Sequence, residues 1–257
     1  MEEFDRQIIA ELNDLRTNPQ SYIEPIREYK NYFHNNNILK LPGVKIGIQT
    51  YEGPSAYEEA AIYLQSQKPI PPLKCNKGLC KVAENFLKEI QKGSIDKISE
   101  IDMEKIIKSI GTFSGSFSNA IDFGGTTPSL VVSNLLVSDG DKSRGQRNNI
   151  FNEDLSYVGI AHGEHKSFEL CTVIVTCTKF ISNDQKDDEE IFIQSKSASN
   201  NNNNNIDDDN LLPPGVKSLV KSEKIIVEGG RKKKLIKITK IMEDGSTQVE
   251  IEKEAID

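Results

Sequence analysis

The stretch "FELCTVIVTCTKF", residues 168–180, constrains the fold of this chain more than any other. In an extended strand Cys171, Val173, Val175 and Cys177 fall on one side, and Thr172, Ile174 and Thr176 on the other. Neither set is charged. A strand that is apolar on both sides has to be covered on both sides, which predicts the centre of a sheet with structure packed above and below it. A second strand is predicted over 156–162, "SYVGIAH".

Amphipathic helices are available to supply that cover. Phe4, Ile8, Leu12 and Leu15 recur at three- and four-residue spacing, and Tyr22, Ile23, Ile26 and Tyr29 resume the pattern after an interruption at Asn18-Pro19. Residues 2–31 therefore read as a helix, a break and a second short helix with Pro19 in its first turn. Residues 33–54 read as a loop, followed by a helix through "AYEEAAIYLQSQ" that "KPIPP" ends. The clearest helix is 76–92, with Leu79, Val82, Ala83, Phe86, Leu87 and Ile90 in one stripe and Asn76 as N-cap. A weaker helix is predicted at 102–110, and the Gly- and Ser-rich "GTFSGSFSNAIDFGG" reads as a loop or short extended piece. Thr127 and Pro128 open another helix, which stops at "SDGD".

Beyond 182 the composition changes. An acidic run, six consecutive asparagines and "DDDN" predict a disordered linker over 183–212, within which "IFIQ" can order briefly. Residues 216–254 then recover an alternating pattern. "KIIV", "KKLIKITKIM" and "TQVEIE", separated by "EGGR" and "EDGST", predict a three-stranded meander with a basic second strand. The organisation expected is a main domain over 1–182, the linker over 183–212 and the meander over 213–257.

The chain has 257 residues and a formal net charge of −7, which argues against nonspecific nucleic-acid binding. Its first residues are acidic, no apolar h-region follows, and no run approaches the roughly 20 apolar residues of a membrane span. A soluble cytoplasmic protein is expected, with its four cysteines as buried free thiols. Cys75 and Cys80 lack the tight spacing and neighbouring histidines of a zinc site.

Several short motifs invite a chemical reading. Asp139, Asp141 and Ser143 alternate as in a calcium loop, but Arg144 and Ile150 stand where the turn glycine and the bidentate glutamate belong. "DFGG" at 122–125 lacks every companion of the kinase metal motif. His162 and His165 form H-x-x-H, and are read as solvated loop residues. Arg144 and Arg147 could clamp an anion, yet the favoured reading has them bonding helix-end carbonyls and acids such as Asp139 or Glu153. With three histidines and no legible nucleophile–base set, no catalytic residue is assigned.

The stretch "LVSDGDKSRGQRNNIFNEDLSYVGIAHGEHKSFELCTVIV" resembles the second half of a CAP-superfamily domain, the cysteine-rich secretory, antigen 5 and pathogenesis-related 1 group, also called the SCP domain. "ELNDLRTNPQSY", "PPLKCNKGLCKVAENFL" and "GSFSNAIDFGG" resemble earlier segments of its bacterial and protist branch, in order, so that the resemblance covers residues 1–181. It implies an α+β fold, a three-layer α-β-α sandwich, here with the antiparallel meander added. It also implies a central cavity whose histidines and glutamates can bind a divalent cation, often zinc. Carried over position by position, two of the histidines fall on Phe86 and Gln146 and one glutamate falls on Asn119. Phe cannot ligate a metal, and neutral amides are weak zinc ligands, so the metal site is expected to be degenerate and no cofactor is expected. Arg144, Gly145, Arg147 and Asn149 are expected to form a retained structural turn.

The function expected is a non-catalytic binding or interaction module for a protein or a lipid-like ligand. Two alternatives stand beside it. One is a divergent hydrolase or protease rebuilt around His162, His165 or a cysteine. The other is membrane-surface association through "GGRKKKLIK", set against a solvated strand with charged edge protection.

Overall fold

The computed structural model describes residues 1–42, 47–93, 95–184, 190–191, 216–228, 231–242 and 247–255. The first helix, α1, spans Glu3–Thr17, and the Asp5 carboxylate accepts from the backbone N–H of Glu2 at its start. It ends at Asn18, a 3₁₀ turn follows over Pro19–Tyr22, and α2 spans Ile23–Glu28. The break predicted at Asn18-Pro19 is present.

The region expected to be a loop holds three two-residue strands, β1 (Phe33–His34), β2 (Ile38–Leu39) and β3 (Ile48–Gln49), paired antiparallel in that order. Helix α3 spans Pro54–Ser66, strand β4 Lys74–Asn76 and helix α4 Lys77–Lys92. Asn76 caps α4 by accepting from the Leu79 N–H at 3.0 Å, as its position predicted. A 3₁₀ turn over Ile95–Glu100 leads to α5, Met103–Ile110.

Strand β5, Gly111–Phe123, is where the sequence misleads. Expected as a loop or short piece, it is a long strand paired antiparallel with β7. The pairing is tertiary. β7 supplies the backbone partners, and the glycines and serines only fail to advertise them. Gly115, at φ +78°, sits where the register shifts between Ser114 and Phe117.

Helix α6 covers Pro128–Val137 and α7 covers Gly145–Ile150, so the expected corner is a short helix. Strands β6 (Tyr157–His165) and β7 (Glu169–Ser182) form an antiparallel pair. β8, Glu190–Ile191, pairs with β4, so part of the segment expected as linker joins the sheet; 185–189 and 192–215 lie outside the described residues.

The main sheet runs β5-β7-β6-β4-β8, with β4 and β6 parallel and the other pairs antiparallel. Two cores form, one on each face. Ile8, Leu12, Ala60, Leu64, Val131 and Leu135 pack with Val158, Ile160 and Ile174 on one side. Leu79, Val82, Phe86 and Ile90 of α4 pack with Cys171, Val173, Val175 and Cys177 on the other. β7 is therefore covered on both sides, as its composition demands, and the fold is an α+β sandwich of three layers.

The chain divides into two compact units, Met1–Asn202 and Asn203–Asp257. The second holds the expected meander, β9 (Val216–Glu228), β10 (Arg231–Met242) and β11 (Thr247–Ala255), in the order β11-β10-β9. The basic strand is thus central, with a strand on each side. The expectation that its charges protect an edge is corrected by this pairing.

Candidate functional site

The turn after α6 is built by ion pairs that saturate its arginines. Ser138 takes a left-handed conformation at the end of α6. Asp139 then accepts from the N–H groups of Tyr51 and Glu52, at 2.6 and 2.9 Å. Asp141 accepts from the N–H groups of Ser143 and Gly145, at 2.9 and 2.7 Å. The acids that look like a calcium loop are thus occupied by backbone donors.

Arg144 grips Glu52 with two N–H groups, at 2.6 and 2.8 Å, and donates to the Ser138 carbonyl at 3.0 Å. Arg147 is 1% exposed. It donates to the carbonyls of Leu136 and Val137, grips Glu59 at 2.6 Å through both terminal nitrogens, and lies over the Tyr63 ring. The helix-end carbonyls were expected; the acids are Glu52 and Glu59, near and within α3, and not Asp139 or Glu153. The guanidinium hydrogen bonds hold both glutamates below the usual carboxylate range. Gly145 opens α7, and Asn149 lines the cleft beneath it.

That cleft is small. It holds about 20 Å³ between Leu12, Ala120, Gln146, Asn149, Ile174 and Thr176. Gln146 uses its side-chain oxygen to accept from the Ile121 N–H at 3.1 Å. Phe86 is buried in the core on the opposite face of the sheet. Asn119 is exposed on β5, paired with Val175, and alternation puts it on the Phe86 side. The structure does not gather Phe86, Asn119 and Gln146 in one cavity.

His162 and His165 are strand residues, which corrects their reading as solvated loop residues. Three positions apart on a strand, they face opposite sides of the sheet. His162 Nδ1 lies 2.7 Å from Asp5 Oδ1, its Nε2 lies 3.5 Å from Glu2, and Phe4 packs edge-on against its ring. His165 sits among Phe123 and Phe168 and accepts from the Ser167 N–H.

All four cysteines are free and buried. Cys171 and Cys177 are pushed up to about 12 by burial. Cys75 and Cys80 lie with their sulfurs 3.7 Å apart. Their contact and burial push the Cys75 thiol up, while the same contact lowers Cys80.

Two features escaped sequence reasoning. Arg16 is fully buried and donates to the carbonyls of Pro71, Ile150, Asn152 and Leu155; burial lowers its pKa to about 10. The signal was present, since position 16 continues the series 4, 8, 12 of the apolar stripe. The second is an open groove of about 750 Å³ between α4, the Ile95–Glu100 turn and α5. Ile90, Ile98, Ile101 and Ile106 line it with four lysines (88, 92, 97 and 105) and three acids, Glu89, Glu100 and Asp102. Among these lysines Lys92 is held by Glu89 at 2.7 Å.

No family model matches the chain, and no curated protein matches it. It is similar to the crystal structure of a cysteine-rich secretory protein from Staphylococcus aureus subsp. aureus Mu50, at 16% identity, over 49% of this chain and 38% of that one, with a TM-score of 0.31. So loose a superposition places no residue of this chain in register with another protein's site. Among the described residues no helix is long and apolar enough to cross a membrane.

Proposed function

We propose that the chain is a non-catalytic, cytoplasmic binding module of CAP/SCP-like architecture, and that its ligand surface is the groove along α4 and α5. The ligand is an amphipathic anion such as a long-chain carboxylate. One observation carries this reading: the cleft at Gln146 holds about 20 Å³, whereas the groove holds about 750 Å³ with isoleucines lining it and lysines among its walls. Ile90 is buried and Ile98, Ile101 and Ile106 are half-buried, so they offer apolar contact. The wall also carries Glu89, Glu100 and Asp102, of which Glu89 is taken by Lys92 and Asp102 accepts from the Lys105 N–H, so exposed Lys88, Lys97 and Lys105 leave a small excess of positive charge for an acidic head group. A lipid-like ligand is also what the sequence resemblance implies.

Titration of the full chain with a fluorescent long-chain carboxylate tests this. Saturable binding is expected, weakened about tenfold in a Lys97→Glu, Lys105→Glu double variant. No saturable binding, or equal binding by that variant, rules the groove out.

A hydrolase reading has one observation in its favour, the His162–Asp5 contact at 2.7 Å, which is how a general base is oriented. The other ring nitrogen, however, faces Glu2. Ester or peptide turnover that disappears in His162→Ala would favour this reading over the binding module.

A further inference from the structure

Three sulfurs meet at the start of the chain. Cys75 Sγ lies 3.7 Å from Cys80 Sγ and 3.7 Å from the thioether sulfur of Met1. Cys75 comes from β4 and Cys80 from the first turns of α4, so the strand-to-helix connection sets their separation. Met1 reaches them from ahead of α1, across 74 positions of sequence. Cys75 and Cys80 belong to the larger core, at 0% and 9% exposure, while Met1 is 39% exposed. The group is thus dry inside and open at Met1.

We propose that Cys75, Cys80 and Met1 form a Cu(I)-binding site. Sulfurs bound to one ion through bonds of about 2.3 Å stand roughly 3.8–4.0 Å apart in tetrahedral or trigonal geometry, so both observed separations need open by only tenths of an ångström. The ligand chemistry selects the metal. Two thiolates and a thioether are soft donors, which suit Cu(I). Zinc would want further nitrogen or oxygen ligands, and no group of three or more His, Cys, Asp or Glu among the described residues could hold a metal ion. The nearby Asp5 carboxylate is already engaged, by His162 and by the Glu2 N–H. On binding, each thiol releases its proton to solvent and each of the three sulfurs donates a lone pair. The metal stays Cu(I), so no oxidant or reductant is needed.

The site is independent of the groove and of the cleft at Gln146. The test is an anaerobic titration of the reduced full chain with Cu(I) supplied as its bicinchoninate complex. The chain should withdraw one equivalent from the chelator and show thiolate-to-copper charge-transfer absorption. Cys80→Ser should lower the affinity about tenfold or more, and so should Met1→Leu introduced behind a cleavable leader. Cys171→Ser, on the other face of the sheet, should leave it unchanged. Should Cys80→Ser fail to fold, Met1→Leu still decides, since it alters the exposed mouth of the site and spares the core. Copper left entirely on the chelator, or affinity unchanged in Met1→Leu, overturns the proposal. So does a pair that forms a disulfide under peroxide but holds no copper when reduced. Because Gln146→Ala and the groove variants should retain the copper, failure here and failure of the binding-module reading are separable.

Discussion

Arg16 and Arg147 are at most 1% exposed, and each ties distant backbone carbonyls to one planar donor group. Arg16 serves four carbonyls, of which Asn152's also accepts from the Leu155 N–H at 3.4 Å. Arg16→Met should therefore cost about 3 kcal/mol, because the Ile150 and Leu155 carbonyls stay buried and lose this donor. Arg16→Lys should recover less than half of that, since an ammonium lacks the fork. Urea denaturation of the three proteins measures both. Asp122 makes the opposite case, a carboxyl whose burial raises its pKa to about 6 despite donors at Asn134 and Gly125. Its folded pKa lies above its unfolded one, so the folded state binds the extra proton between about pH 4 and 6. Stability from this group is present at low pH and is lost as pH rises through 6, by about 3 kcal/mol in all. The stability of the wild type relative to Asp122→Asn should fall by about 2 kcal/mol of this between pH 4 and 7; a flat difference contradicts it.

Among the elements, α4 was legible and β5 was not. α4 announces itself through an apolar stripe and a cap, both local signals, and the structure matches them at Asn76, Leu79 and Phe86. Asn76→Ala should cost about 1 kcal/mol in thermal or urea unfolding. Where α4 lands was invisible to the sequence. A methyl group on Gly159 of β6 would come within 2.1 Å of the Leu79 backbone and 2.4 Å of the Cys80 nitrogen. The helix start rests directly on the strand, so Gly159→Ala should cost about 3 kcal/mol, far more than its effect on strand propensity predicts. β5 is the converse. Its serines and glycines read as a loop because the stabilising partners, Thr176 for Ser118 and Thr178 for Ser116, lie about sixty residues away.

At the scale of the molecule, the strand at 168–180 forced a covered sheet, and the two cores on its faces are the answer. We infer that Met1–Asn202 folds on its own, because both of those cores lie within it. A fragment of those residues should unfold cooperatively at the temperature of the corresponding transition in the full chain; insolubility or a lost transition contradicts this. Period, caps and composition were determined by the sequence alone, because they depend on neighbours a few residues apart. Those signals predicted the central strand, most helices and the meander. Which side chains meet was decided only by tertiary structure: Asp5 with His162, Glu59 with Arg147, Met1 with Cys75. The same holds for what stays apart. His162 and His165 are neighbours in sequence yet face opposite sides of the sheet, and Asn119 and Gln146 are likewise separated, because strand alternation and topology assign the faces.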